Sequence, residues 1–335
     1  MHWLSPDRER GAALIIALLV LALVVMLATS VSSEFLVYFR KVENALHSQQ
    51  AYRYLLGLEG VGRQVLLTDL KADREQGILM DYALENGDEP WLDNPILFPL
   101  DYGVISGLLT DLQGRFNINT LAGGSPGDYT VEQKRFIRLL QTLPLDTPID
   151  VDRAQELTNA VADWLDNESP PQDRLPGGGE DYLYADMTPP RRPANQAMRS
   201  VSELQWVAGF TPEIVRQLEP FVTSWPVANG VLNINTMPDR LLAMLNTDAS
   251  LLPADTVVIE SIIGARDGGG GFAEMNTVTA LLPDTDLTGI DVKSSYFLLT
   301  GETEFLDRHY HLNSVLWRDN DKGTVKVVAR SRGSL

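Results

Sequence analysis

From Gly11 to Ser33 the chain carries no charged residue. A run of roughly 20 apolar residues is long enough to cross the ~30 Å hydrocarbon core of a bilayer as one helix. A charged leader, Asp7-Arg8-Glu9-Arg10, comes just before it and ends at Gly11. A secretory signal peptide has a shorter apolar stretch, with its small-residue cleavage site behind that stretch. Here the small residue comes first. Cutting between Gly11 and Ala12 would leave the apolar helix on the mature chain, with Ala12 as the new N-terminus. The plain alternative is an uncut signal-anchor helix.

The junction resembles prepilin-type (class III) signals, which are cut after Gly and then methylated on the new amine. Pilin-like subunits usually carry Glu at the fifth mature position, where this chain has Ile16. A carboxylate buried in apolar helix packing is costly unless paired. A subunit at the tip of a fibre has no neighbouring amine to neutralise, so an apolar residue fits there.

The chain has 335 residues, room for two or three domains. Its formal net charge of -18 argues against a nucleic acid partner, because phosphate neutralisation needs clustered Lys and Arg. The absence of cysteine excludes disulfides, zinc-thiolate sites and a cysteine nucleophile. Arg8 and Arg10 before the span nearly balance Arg40 and Lys41 after it. A short polar leader normally stays cytoplasmic, which puts the bulk of the chain in the periplasm.

No proline occurs between Ala12 and Leu70, so one long helix is expected, half apolar and half amphipathic through Ala45, Tyr52, Leu55, Leu58 and Leu67. Asp88 to Pro99 reads as loop, and Val104 to Leu109 as strand. The segment Phe116-Asn117-Ile118-Asn119-Thr120 recurs as Leu232-Asn233-Ile234-Asn235-Thr236, an internal repeat. Short helices are expected after Thr130, with Gln133 completing a capping box, around Leu157 to Leu165, after Ser200 with Glu203, and after Thr211-Pro212. Another should start with Thr236 as N-cap. Ser295 to Thr300, Glu304 to Trp317 and Gly323 to Ala329 are strand-like, with a turn at Asn320 to Gly323.

Several motifs have bland readings. In Gly123-x-Ser125-x-Gly127 the serine precedes Pro126, which lacks the N–H an oxyanion hole needs, so a loop is expected. His309 and His311 share a strand face and read as exposed histidines, with a structural metal as the rarer case. The Gly268 to Gly271 run lacks dinucleotide spacing. Ile262 to Leu281 looks like a helix-hairpin-helix or SAM-like unit with acidic flanks Glu260, Asp267 and Glu274, which favours a structural role. Asp163, Asp166, Glu168, Asp173, Glu180, Asp181 and Asp186 face only Arg174 in a Pro/Gly-rich stretch. Such oxygen ligands on a loop suit Ca²⁺, and a solvated acidic loop is the equal alternative.

Together these residues resemble the K-type minor pseudopilins of type II secretion systems, the general secretion pathway protein K family. The match runs through Arg10-Gly11, Asp111-Leu112-Gln113-Gly114-Arg115, Asp163-Trp164-Leu165-Asp166, Gly179-Glu180-Asp181-Tyr182, Pro193-Ala194-Asn195, Ser200-Val201-Ser202-Glu203-Leu204 and the Asn repeats. The resemblance implies an α+β, pilin-like fold: a long N-terminal helix, an antiparallel sheet, and a large all-α insert with SAM-like or helix-hairpin-helix-like units. The expected divisions are a leader at 1–11, a membrane half-helix at 12–33, and a stem with first strands at 34–120. They continue with an insert at 121–285 (units 121–225 and 231–285) and C-terminal strands at 286–335. The resemblance also implies a structural calcium site. Asp166, Glu180 and Asp181 lie in the matching motifs, and Glu168 joins them by proximity. It further implies a non-enzymatic tip subunit that nucleates a short fibre for export of folded proteins across the outer membrane. The implied partners are I- and J-type minor pseudopilins, other pseudopilins, a prepilin peptidase acting at Gly11 and Ala12, and the inner membrane. The rival reading is a membrane-anchored nucleic-acid receptor, which needs a basic face.

Overall fold

The expected long helix forms. In the computed structural model, α1 runs without a break over Asp7–Gln76, 70 residues and about 105 Å long at 1.5 Å per residue. The structure describes residues 7–77, 80–82, 92, 94–101, 103–124, 128–166, 184–228, 230–247, 249–306 and 308–333. The apolar first half of α1 touches nothing else in the chain, and its most apolar window is 0% buried.

The second half buries one stripe, Ala51, Leu55, Leu58, Leu66 and Leu70, at the spacing of a single helix face. The stripe packs on a five-stranded antiparallel sheet ordered β1-β2-β7-β8-β9. Its strands are β1 (Ile96–Leu100), β2 (Gly103–Asp111), β7 (Tyr296–Phe305), β8 (Arg308–Asp319) and β9 (Thr324–Ser331). Leu55 and Leu58 meet Ile105 and Leu312. Leu66 meets Leu109, Phe297, Leu299 and Leu316. The helix sits close because two facing positions are glycine: a Cβ on Gly107 would lie 2.9 Å from the Leu58 methyls, and one on Gly301 3.1 Å from them. The stretch read as loop up to Pro99 ends instead in β1. That strand is at the sheet edge, where a proline removes no ladder bond.

β2 and β7 are neighbours in register, Asp111 opposite Phe297, although the chain between them is an insert of some 180 residues. The insert leaves and returns at one end of the sheet. It contains α2 (Val131–Leu140), α3 (Val151–Leu165), a 3-10 turn (Val201–Trp206), α4 (Pro212–Leu218), α5 (Asp239–Leu242), α6 (Thr256–Gly268) and α7 (Met275–Leu281). Thr130 and Gln133 form their capping box, and Thr211 caps α4. The Ser200–Glu203 box caps the 3-10 turn rather than an α-helix. Thr236 does not cap α5, whose N-cap is Pro238. The Thr236 hydroxyl donates to Asp111 instead.

The insert is not all-α, because the Asn repeats form strands. β3 (Phe116–Asn117) pairs in parallel with β4 (Val222–Thr223), and β5 (Leu232–Asn233) pairs in parallel with β6 (Ile290–Asp291). The two copies are wired alike. Asn117 Oδ1 accepts from the Asn119 amide, and Asn233 Oδ1 from the Asn235 amide. Asn119 donates to the Met198 and Ser224 carbonyls and accepts from the Met198 N–H. Asn235 donates to the Phe272 and Val292 carbonyls and accepts from the Phe272 N–H. The repeat is thus a buried backbone staple used twice, once in each half of the insert. Both halves share one large apolar core that includes Phe116, Phe136, Trp164, Leu218, Leu242 and Phe272.

Candidate functional site: assembly surfaces and an acidic loop

Among the described residues three features stand out: a bare helix surface, a buried joint and the start of the acidic loop. The first surface is bare α1. Leu14, Ile15, Leu19 and Met26 are each more than half exposed, and so are Phe35, Tyr38 and Leu46 beyond the charge-free run. Gly11 lies within this helix, and a Cβ placed there would meet no atom within 4 Å. Both sides of the Gly11–Ala12 bond are exposed.

The second feature is the order of contacts along α1. His47 packs edge-on against Phe305 at 6.1 Å, so the β7–β8 turn marks the end of the sheet nearest the apolar half of α1. Further along, Glu59 binds Arg330 at 2.7 Å and accepts from Ser314. At the far end Asp69 meets Arg318 at 2.8 Å. The insert joins the sheet at that far end.

The joint is a buried polar cluster. The Arg318 guanidinium also holds both oxygens of Asp81 and donates to the Ser294 carbonyl. Asp81 accepts from the Ser294 N–H. Asp111 accepts from the Ser294 and Thr236 hydroxyls, the Gln113 N–H and the Asn233 amide. Burial pushes the Asp111 carboxyl up to about 6, against the pull of its donors, with the nearby Asp81 charge adding to the rise. Asp81 and Arg318 were not singled out from the sequence. Their only trace in the sequence is that Asp111 begins one of the motif runs, since nothing in the spacing pairs residue 81 with residue 318.

The third feature is the acidic loop. Asp166 is the C-cap of α3, and both it and Asp163 are buried. Asn195, in a left-handed conformation (φ 48), donates its N–H to the Trp164 carbonyl. Its buried Oδ1 has no hydrogen-bond donor among the described residues. Oxygen atoms of this kind are what a hard cation takes, and they lie beside the side-chain nitrogens of Trp164 and Arg191. Glu168, Glu180 and Asp181 lie outside the described residues, as do Ser125 and Gly127 of the Gly-x-Ser-x-Gly match. Among the described residues no three His, Asp or Glu side chains converge as a metal set. His309 and His311 are exposed on β8.

The hairpin α6–α7 offers no basic face. Its arginine, Arg266, is buried and committed to Asp239, Asp267 and the Met237 carbonyl.

Residues 114–227 match the family model described as type II secretion system (T2SS), protein K. Type II secretion system protein K of Pectobacterium carotovorum is 31% identical over 98% of this chain and 97% of its own length. That of Pseudomonas aeruginosa is 32% identical over 97% and 93%. Among solved structures, the crystal structure of the GspK–GspI–GspJ complex from enterotoxigenic Escherichia coli contains a chain with the same fold. The TM-score is 0.69 at 23% identity, covering 88% of this chain and all of that one. With near-full-length similarity at this level and the matching fold, the chain belongs to the type II secretion system protein K family.

Proposed function

We propose that this protein is the minor pseudopilin at the tip of the type II secretion pseudopilus, where it nucleates fibre assembly. In this reading prepilin peptidase removes the leader between Gly11 and Ala12, and the new amine is methylated. The apolar half of α1 stays in the inner membrane, and the rest of the chain stands in the periplasm. The carrying observation is the order along α1: bare helix, then sheet, then the insert at the end farthest from the membrane span. An insert there obstructs a subunit stacked above, which suits a cap and not a repeating shaft subunit. I- and J-type minor pseudopilins are the partners; the solved complex of a structural neighbour with GspI and GspJ supports this. The acidic loop holds a structural calcium ion through Asp166 with Glu168, Glu180 and Asp181; the oxygen-rich C-terminal end of α3, where Asp166 is buried, supports this. Nothing favours the nucleic-acid receptor, given the -18 charge and the engaged Arg266.

Intact mass of the membrane-extracted protein tests the processing step. A chain beginning at Ala12 and carrying one added methyl is expected. A chain that begins at Met1, or downstream of Ser33, overturns it. For the tip role, co-expression should yield a complex with I- and J-type subunits. Homopolymers of this chain alone would refute it.

A further inference from the structure

Two crossings of the chain attach the insert to the sheet. The chain leaves at Asp111, the last residue of β2, and returns through Ser294 to β7. The crossings are tied to each other. Leu112 donates its N–H to the Tyr296 carbonyl, and Gln113 Oε1 accepts from the Ser295 and Tyr296 amides. A third segment pins the same place. Asp81 donates its N–H to the Val292 carbonyl, and its own carbonyl accepts from the Asn233 side chain. The next residue, Tyr82, lies against Gly271 of the insert. The insert can turn on the sheet only if this joint opens.

The joint holds an unbalanced charge. Ser294 bridges two buried carboxylates, giving its N–H to Asp81 at 2.7 Å and its O–H to Asp111. Asp81 has the Arg318 guanidinium, which it shares with Asp69 of α1. Asp111 has no such partner. All four of its donors are neutral: the Ser294 and Thr236 hydroxyls, the Gln113 N–H and the Asn233 amide. The other charged groups on the adjoining elements are engaged elsewhere or unpaired. Asp239 binds Arg266, and Asp291 accepts from the Val292 N–H. Arg74 holds the Asn320 and Asp321 carbonyls, and Arg115 lines a separate small cavity with Glu219. Lys293, next to Ser294, makes no ion pair among the described residues. A buried carboxylate beside a second one, with no cation of its own, holds a proton more tightly than a solvated one does. As an acid Asp111 can donate to the Ser294 or Thr236 hydroxyl, since a hydroxyl accepts as well as donates.

We propose that this joint is a proton-operated latch. With a proton on the Asp111 carboxyl the insert is locked to the sheet. Loss of that proton sets Asp81 and Asp111 against each other across Ser294 and releases the insert to pivot. The latch needs no partner chain and does not depend on the fibre-tip reading. Its sign follows from linkage: the closed joint binds the proton more tightly than the open one, where water solvates Asp111, so opening becomes easier as pH rises. The carboxyl lies at about 6 when closed, against 3.8 when solvated. Opening is then about tenfold more frequent at pH 8 than at pH 5.

Peptide-resolved hydrogen exchange of the full chain in a non-ionic detergent, at pH 5 and pH 8 and corrected for the intrinsic exchange rate, tests this. The amides of Asp81, Gln113, Asn233 and Ser294 should open about tenfold more often at pH 8. Those of the β8–β9 pair around Trp317 and Lys326 should not change. Asp111→Asn has no proton to lose there and should leave a difference under about twofold. Thr236→Val removes a donor to the ionised carboxyl, so it should move the midpoint of the change to higher pH. That second variant decides the matter if Asp111→Asn does not fold. Equal opening at the two pH values in the wild type overturns the proposal. So does a tenfold change that survives in Asp111→Asn, or an unmoved midpoint in Thr236→Val. Equal loosening of the β8–β9 amides also overturns it, since that would mean general softening of the fold at high pH.

Discussion

The duplicated asparagine staple makes a quantitative prediction. Asn119→Ala removes hydrogen bonds of 2.9, 2.8 and 2.7 Å to Met198 and Ser224. Asn235→Ala removes 3.0, 3.2 and 2.7 Å bonds to Phe272 and Val292. Each lost bond is worth about 1 kcal/mol net, and a buried backbone group left without a partner costs about 1–3 kcal/mol. Three bonds per site give about 4 kcal/mol for each variant, a large share of a typical ~5–15 kcal/mol folding stability. Asn119 is 9% exposed and Asn235 2%, so water can reach the first site slightly more easily, and its cost should be the smaller of the two. The two staples share no partner, so the double variant should be additive within about 0.5 kcal/mol. The insert and sheet need not unfold together, so the assay must report locally. Hydrogen exchange of full-length protein in detergent, resolved by peptide, does so. Asn119→Ala should loosen peptides containing Met198 and Ser224, and Asn235→Ala those containing Phe272 and Val292. A loss under about 1 kcal/mol at either site would mean the asparagines are not structural staples. Loosening of the other half of the insert would refute the two-copy description.

Three further outcomes are expected. The Asp111 carboxyl, pushed up to about 6 from 3.8, binds more protons folded than unfolded between those values, so its contribution falls as pH rises through that window. The stability of wild type minus that of Asp111→Asn should therefore drop by about 2 kcal/mol from pH 4 to pH 7 in urea unfolding, and a constant or rising difference would show the four donors keep it ionised. A Cβ on Gly114 would lie 2.9 Å from the carbonyl oxygen and the hydroxyl of Thr236; Gly114→Ala should cost about 1–3 kcal/mol through forced separation of the two insert halves, and an unchanged melting midpoint would contradict that. Calcium at 100-fold above its Kd should stabilise the fold by about 2.7 kcal/mol, and Asp181→Ala should remove most of that gain; a midpoint equal in calcium and in chelator leaves the acidic stretch as a solvated loop.

Features set by neighbours within four residues were legible in the sequence. The span of α1 followed from a proline-free run with an apolar stripe. The Thr130–Gln133 box and the Thr211 cap followed from side chains that reach only their own first turn, and the C-terminal strands from alternation and a turn. The charged leader at Gly11, the acidic loop around Asp166 and the Asn repeats were visible as patterns. What the patterns do was decided in three dimensions. Thr236 has the form of a cap, yet its hydroxyl goes to Asp111, because the buried carboxylate there needs donors more than the exposed start of α5 does. Pro99 lies in a strand because that strand is an edge. β2 finds β7 across the whole insert, and Asp81 finds Arg318, because burial of apolar strand faces and of charge selects partners by position in space. The repeated Asn-x-Asn motif is visible in the sequence only as a repeat until the carbonyls of Met198, Ser224, Phe272 and Val292 are placed around it. A short-range rule can name a helix or a turn, but it carries no information about which distant backbone will need a buried amide to satisfy it.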